Sequence, residues 1–194
     1  MSDPEALAWE SLRPWMQALS LDPQRVENLL GQGTPDVWYA DGALELKALH
    51  EWPKRAETPV RVEFRPGQVP WLLRRWQAGG AAWVMLRVGA QWLLFAAPDA
   101  GLIKSGLSAG TLTSLACWRS APVARDTLWG SLGSWLRRDH DALLPPARAR
   151  LLRHMCNKTM AQAAIILGTT PEAVCRAELE EGTLTNDLID AWVA

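Results

Sequence analysis

The chain is poor in every aromatic residue but one: it has one tyrosine and two phenylalanines, against twelve tryptophans in 194 residues. It is also poor in cysteine and histidine, with three of each, and its net charge is only −1. Cys117, Cys156 and Cys175 form no CxxC pair and cannot all pair with one another, so a disulfide framework is excluded. They read as buried thiols of a reducing cytoplasm. His154 and Cys156 stand two apart, but no second ligand pair follows, which discounts a zinc site. A near-zero net charge gives no global basic signature for nucleic acid. No apolar run approaches a membrane span, and the acidic N-terminal stretch has no apolar core of a secretory signal. The expectation is a cytoplasmic protein with no membrane partner.

What is present is a 48% hydrophobic composition, enough for one compact domain with a real core and a small appendage. Charge is distributed unevenly. Residues 1–46 carry two basic and eight acidic residues, whereas residues 47–75 carry seven basic and three acidic. Residues 118–158 are basic again, eight against three, and residues 172–190 are acidic, six against one. A polyanion would feel those basic blocks locally. Most tryptophans, among them Trp71, Trp76, Trp83, Trp92, Trp129 and Trp135, lie in periodic segments and read as core.

The periodicity predicts a helix over 3–19, started by Asp3-Pro4-Glu5 and striped by Leu7, Leu12, Trp15, Met16 and Leu19. Asp22-Pro23 opens a second turn or short helix carrying Val26, Leu29 and Leu30, with Glu27 on it. A hairpin spans 35–49. Residues 50–67 read as an exposed basic loop with a short strand at Val60–Phe64. A helix over 68–77 stops at Gly79-Gly80. The apolar run 81–88 reads as a buried strand, 91–97 as a further strand, and 98–116 as short helices. The helix at 68–77 can cross over and set 81–88 parallel to 43–49, giving an α/β mixed sheet. Beyond Pro122 the pattern is helical. The expected division is a core over 1–122 and a helical C-terminal module over 123–194.

The hairpin carries charges that invite a chemical reading. With Asp41-Gly42 as a two-residue loop, Tyr39 pairs with Leu44, Trp38 with Glu45, Val37 with Leu46, and Asp36 with Lys47. Side chains alternate faces and paired residues share one. Val37, Tyr39, Leu44 and Leu46 then form an apolar face, and Asp36, Trp38, Glu45 and Lys47 point the other way. Two carboxylates on one face, with an ammonium beside them, can converge on a cation. They can equally make an exposed cross-strand salt bridge.

The ordered set of Glu27, Pro35-Asp36, Glu45-x-Lys47 and Gln68 resembles the PD-(D/E)XK motif of the restriction-endonuclease-like nucleases. The stretch from Arg65 to Val88 resembles the Q-x-x-W-L helix, glycine turn and apolar strand of phage and bacterial members, including VRR-NUC-type and Holliday-junction-resolvase-like proteins. The resemblance covers roughly residues 20–97. Two features depart from it: the 50–67 loop is long, and Arg65-Pro66-Gly67 precedes Gln68 where members carry S-x-x-Q. The resemblance implies a restriction-endonuclease-like core and a Mg²⁺-dependent DNA endonuclease, with Mn²⁺ able to substitute, acting on double-stranded or branched DNA in phage or bacterial DNA metabolism. It implies Asp36, Glu45 and the Leu46 carbonyl as metal ligands, because hard oxygens suit Mg²⁺. It implies Glu27 as a further metal-site acid, Lys47 as the cation that positions water or stabilises charge, and Gln68 as an orienting catalytic residue. Each also has a plain structural reading: a turn cap for Asp36, a surface pair for Glu45 and Lys47, a solvated helix position for Glu27, and a helix start for Gln68. A non-catalytic DNA-binding or adaptor protein on the same fold is the alternative function, and an RNA-directed nuclease is a third.

Two basic clusters are candidate DNA contacts: Lys54, Arg55, Arg61 and Arg65 in the loop, and Arg148, Arg150, Arg153 and Lys158 before the C-terminal helices. Residues 160–177 have helix-turn-helix spacing, with Ala164 at the crossing, Gly168 in the turn and Val174 as anchor. The ordinary alternative is a helical hairpin that buries Ile165, Leu167, Val174 and Leu179. Glu172, Glu178, Glu180 and Glu181 oppose a groove-reading role, so binding by shape, or contact with a second copy in a homodimer, is the expected use.

Overall fold

A computed structural model describes residues 3–26, 33–120, 128–137, 153, 158–166 and 168–179. The chain divides into two compact units, Met1–Arg137 and Arg138–Ala194. The first is an α/β unit built on a six-stranded mixed sheet.

The first unit opens with α1 (Pro4–Ala18), whose N-terminus is capped by the Asp3 carboxylate accepting from the Glu5 N–H at 3.0 Å. Its Ala8, Trp9, Leu12 and Met16 are buried. Ser20 and Asp22 then take left-handed backbone, with φ of 57° and 45°, which ends the helical path. Gln24–Arg25 form an edge strand, β1, inside the stretch where the sequence suggests a second turn or short helix. Leu29, Leu30 and Glu27 lie outside the described residues.

Five more strands follow: β2 (Val37–Tyr39), β3 (Gly42–Leu49), β4 (Ala81–Val88), β5 (Gln91–Ala96) and β6 (Trp118–Arg119). They are ordered β1-β2-β3-β4-β5-β6. β3 and β4 run parallel, joined through α2 (Gln68–Gln77), and every other neighbouring pair is antiparallel. The crossover expected from the sequence thus forms. A single 3-10 turn, α3 (Ala100–Ser105) and α4 (Ala109–Leu115) fill the segment before β6.

The hairpin register differs from the expected one by two residues. Val37 faces Leu44, Trp38 faces Ala43 and Tyr39 faces Gly42, so the loop is Ala40-Asp41. The glycine serves a different purpose from a turn. A Cβ on Gly42 would lie 2.5 Å from the Ala81 carbonyl oxygen and 2.7 Å from the Tyr39 hydroxyl, so it is the close approach of β4 that demands glycine here. A shift of two preserves which face each side chain takes.

The loop over 50–67 is packed rather than free. Val60, Val62 and Phe64 are buried, and Val60 bridges Leu107, while Arg61, Glu63 and Arg65 alternate outward. α5 (Leu128–Leu136) belongs to this unit, not to the C-terminal module where the sequence division places it. Its Leu136 carbonyl accepts the buried Tyr39 hydroxyl at 2.6 Å, and Trp135 meets Trp83 edge-on at 6.2 Å.

In the second unit, α6 (Met160–Ile166) and α7 (Pro171–Leu179) are joined by a turn in which Gly168 has φ of 60°. Ala163, Ala164 and Val174 are buried, and Thr170 caps α7 by accepting from the Ala173 N–H. Ile165, which a helical hairpin would bury, is 81% exposed. Among the described residues, no helix is long and apolar enough to cross a membrane.

Gly42→Ala should destabilise the first unit by about 1–3 kcal/mol, because the added methyl meets β4 backbone. Gly101→Ala, where a Cβ meets nothing within 4 Å, serves as the control and should not destabilise. Urea midpoints of the full-length variants check both.

Candidate functional site

β3 carries Ala43, Glu45 and Lys47 on one face by strand alternation. Extending the hairpin register by one residue sets Asp36 opposite Glu45, where Lys47 is expected from the sequence. The two carboxylates are therefore direct neighbours rather than a diagonal pair. Asp36 is fixed by its own strand partner: its Oδ2 accepts the Leu46 N–H at 3.1 Å. Its Oδ1 lies 3.3 Å from the Arg65 guanidinium.

Glu45 is fully buried and Lys47 is 5% exposed, so this is no solvated surface pair. The Lys47 Nζ stands 2.6 Å from the Glu45 Oε1, 3.3 Å from Glu5 and 5.6 Å from the centre of the Phe64 ring. The Gln68 amide nitrogen donates to the same Glu45 oxygen at 2.5 Å. The amide orientation is set from the other end, since the Gln68 carbonyl oxygen accepts the Arg65 N–H at 2.7 Å. Glu45 Oε2 is buried and has no hydrogen-bond partner among the described residues.

One backbone crossing holds these pieces in place. A Cβ on Gly33 would fall 2.3 Å from the Gly67 carbonyl carbon and 2.8 Å from the Gln68 N. The chain entering Pro35-Asp36 thus lies directly against the start of α2. That approach ties the position of Asp36 to that of Gln68.

The electrostatics follow from the burial. Desolvation, then the like charge of Asp36, push the Glu45 carboxyl up to about 8, against the opposing pull of Lys47. Lys47 is raised above its usual value: burial works against its charge, but Glu45, Glu5 and Asp36 together outweigh it. A buried carboxyl with one orphaned oxygen beside a second carboxylate is a donor set that a cation would satisfy.

Asp36, Glu45, Leu46, Lys47 and Gln68 are brought together as the sequence suggests. Glu27 lies outside the described residues, and among those described no group of three or more His, Cys, Asp or Glu side chains gathers. Sequence reasoning misses Glu5. It reads only as a helix-start residue, and no local spacing links it to Lys47, 42 positions on. Of the basic candidates, Lys54, Arg55, Arg61, Arg65 and Lys158 are exposed. Arg153 is a correction. It is buried, its guanidinium grips both Glu178 oxygens at 2.5 and 2.9 Å, and it donates to the Lys158 carbonyl. It is therefore committed within its own unit. Arg148 and Arg150 lie outside the described residues.

No protein-family model matches the chain, and no curated protein or solved structure matches it.

The shifted carboxyl makes a pH prediction. Folded Glu45 holds its proton up to about pH 8, whereas the unfolded chain releases it near 4.5. The unfolded state then binds fewer protons across that window, so stability falls as pH rises through it. Lys47 stays charged in both states there and adds nothing. Glu45→Gln should flatten the fall, as measured by urea unfolding at pH 5 and pH 8.

Proposed function

We propose that this chain is a divalent-metal-dependent DNA nuclease of the PD-(D/E)XK type that hydrolyses phosphodiester bonds. The observation that carries the reading is Glu45: a buried carboxyl with one oxygen unsatisfied, beside Asp36, with the Lys47 ammonium 2.6 Å away. A structural ion pair at this position would be a poor use of a central strand, because desolvation costs as much as the pairing returns. A buried, perturbed carboxyl grouped with a second carboxylate and a lysine points instead to chemistry.

Asp36, Glu45 and the Leu46 carbonyl would hold Mg²⁺ or Mn²⁺. When bound, such a cation lowers the pKa of a coordinated water and offsets charge on the phosphate. The chain's own groups do the rest. Gln68 holds Glu45 Oε1 in one orientation, leaving Oε2 for a ligand. Lys47, fixed by Glu45 and Glu5, presents a permanent positive charge to the phosphate. Arg61 and Arg65 stand outward on a segment anchored by buried Val62 and Phe64, a rigid mount for gripping phosphates. The α6–α7 pair acts as a helix-turn-helix-like accessory that binds by shape. Glu178 is neutralised by Arg153, which removes one objection to DNA binding, but Glu172 remains exposed at the start of α7.

The test is a cleavage panel of linear, nicked, single-stranded, flap and four-way DNA with Mg²⁺, Mn²⁺ or EDTA. Cleavage should need the metal and fall by about 10²-fold or more in Glu45→Gln and in Lys47→Met. Cleavage that persists in EDTA or in Glu45→Gln contradicts the reading. Replacing Arg61 and Arg65 together by glutamine should lower the salt slope of DNA binding by roughly one unit for each phosphate no longer gripped. An unchanged slope would show that those arginines grip no phosphate.

A further inference from the structure

We propose that Trp38 and Trp71 form a stacking platform for an unpaired nucleobase, so that the substrate is DNA with single-stranded character next to the scissile phosphate. The inference rests on the nuclease reading for its ligand and deepens it by naming the substrate class.

Trp38 is 41% exposed on a strand whose neighbours, Val37 and Tyr39, are buried. Among the described residues it is the aromatic side chain that is both large and exposed. Its place is not arbitrary. Trp38 shares the carboxylate face of the hairpin, pairs with Ala43 and is the diagonal neighbour of Glu45. Ala43 is too small to cover an indole. Trp71 lies one helical turn beyond Gln68, the residue that holds Glu45, and is half-buried. The two indoles meet with centroids 5.7 Å apart and planes 61° apart.

Each ring is thus attached one step away from a group that touches or faces the carboxylate. A pair at that angle does not stack face to face, so a planar ligand can lie flat on one ring while the other braces it. Asp36 stands two residues before Trp38 on the same face and binds Arg65, so a phosphate at Arg65 places its own nucleotide beside this pair, and a nucleobase is the planar group that every nucleotide carries. Within a duplex each base is already covered on both faces by its neighbours. A base at a gap, a flap, an end or a single strand has a free face, and such stacking tolerates any sequence. The remaining tryptophans show that the chain also uses indoles as core: Trp76, Trp83, Trp92 and Trp135 are buried.

The test uses the full-length protein in EDTA and fluorescence anisotropy with two probes, an oligothymidine of about 15 nucleotides, long enough for such a site, and a blunt duplex of the same length. Trp38→Ala should weaken binding of the single strand about tenfold or more and change duplex binding less than about twofold, and Trp38→Phe should restore most of the affinity. Equal weakening on both probes, no weakening on either, or no binding of the single strand by the wild-type protein overturns the platform. A chain that binds the single strand through Trp38 but shows no metal-dependent cleavage keeps the platform and sinks the nuclease reading. A chain that cleaves DNA while Trp38→Ala binds the single strand normally does the reverse, and leaves the indole pair as a seat for an apolar protein side chain.

Discussion

A carboxyl group buried in the middle of a sheet is the constraint around which the first unit is arranged. Glu45 lies on β3, with β4 on one side and the segment entering β2 on the other, and its side chain is fully buried. Placing a charge there costs several kcal/mol, and one ammonium does not return all of it. The surroundings are correspondingly specific. α2 begins where Gln68 can donate to Glu45, and the start of α1 brings Glu5 to the far side of Lys47. The loop before α2 ends with Arg65 binding both the Gln68 amide and the Asp36 carboxylate. Glu45 itself is held by Gln68 and Lys47, which Arg65 and Glu5 hold in turn, and one of its oxygens is still left without a partner.

The parts of this arrangement that depend on local pattern are legible in the sequence. The apolar run 81–88 and the helix before it predict the parallel crossover, and that crossover is what sets β4 beside Glu45. The Asp-Gly pair marks the hairpin, but its glycine answers a tertiary demand, the approach of Ala81. A turn rule applied to Asp41-Gly42 therefore places the loop one residue late and the pairing two residues off. Because side chains alternate with period two, the error leaves the faces intact, and Asp36, Trp38, Glu45 and Lys47 are still grouped correctly.

Long-range electrostatics leave no such trace. Glu5 reads as a helix-start acid, and only the packed fold shows its carboxylate on Lys47. Arg153 belongs to a basic cluster in the sequence but is sequestered by Glu178, so counting charges overstates the basic surface of the second unit. The prolines and basic residues of the 50–67 loop suggest free exposure. Its alternation of Val60, Val62 and Phe64 is the better guide, since those three side chains anchor it and turn its arginines outward.

The central claim is that Asp36 and Glu45 form a cation site. The most direct measurement is a Mn²⁺ titration of the full-length protein followed by electron paramagnetic resonance, with wild type and Glu45→Gln compared at about pH 8, where about half of the folded carboxyl is ionised, after circular dichroism has shown both to be folded. The account predicts that the wild type removes free Mn²⁺ signal and that Glu45→Gln does not. Equal binding by the two proteins, or no binding by the folded wild type, would contradict it.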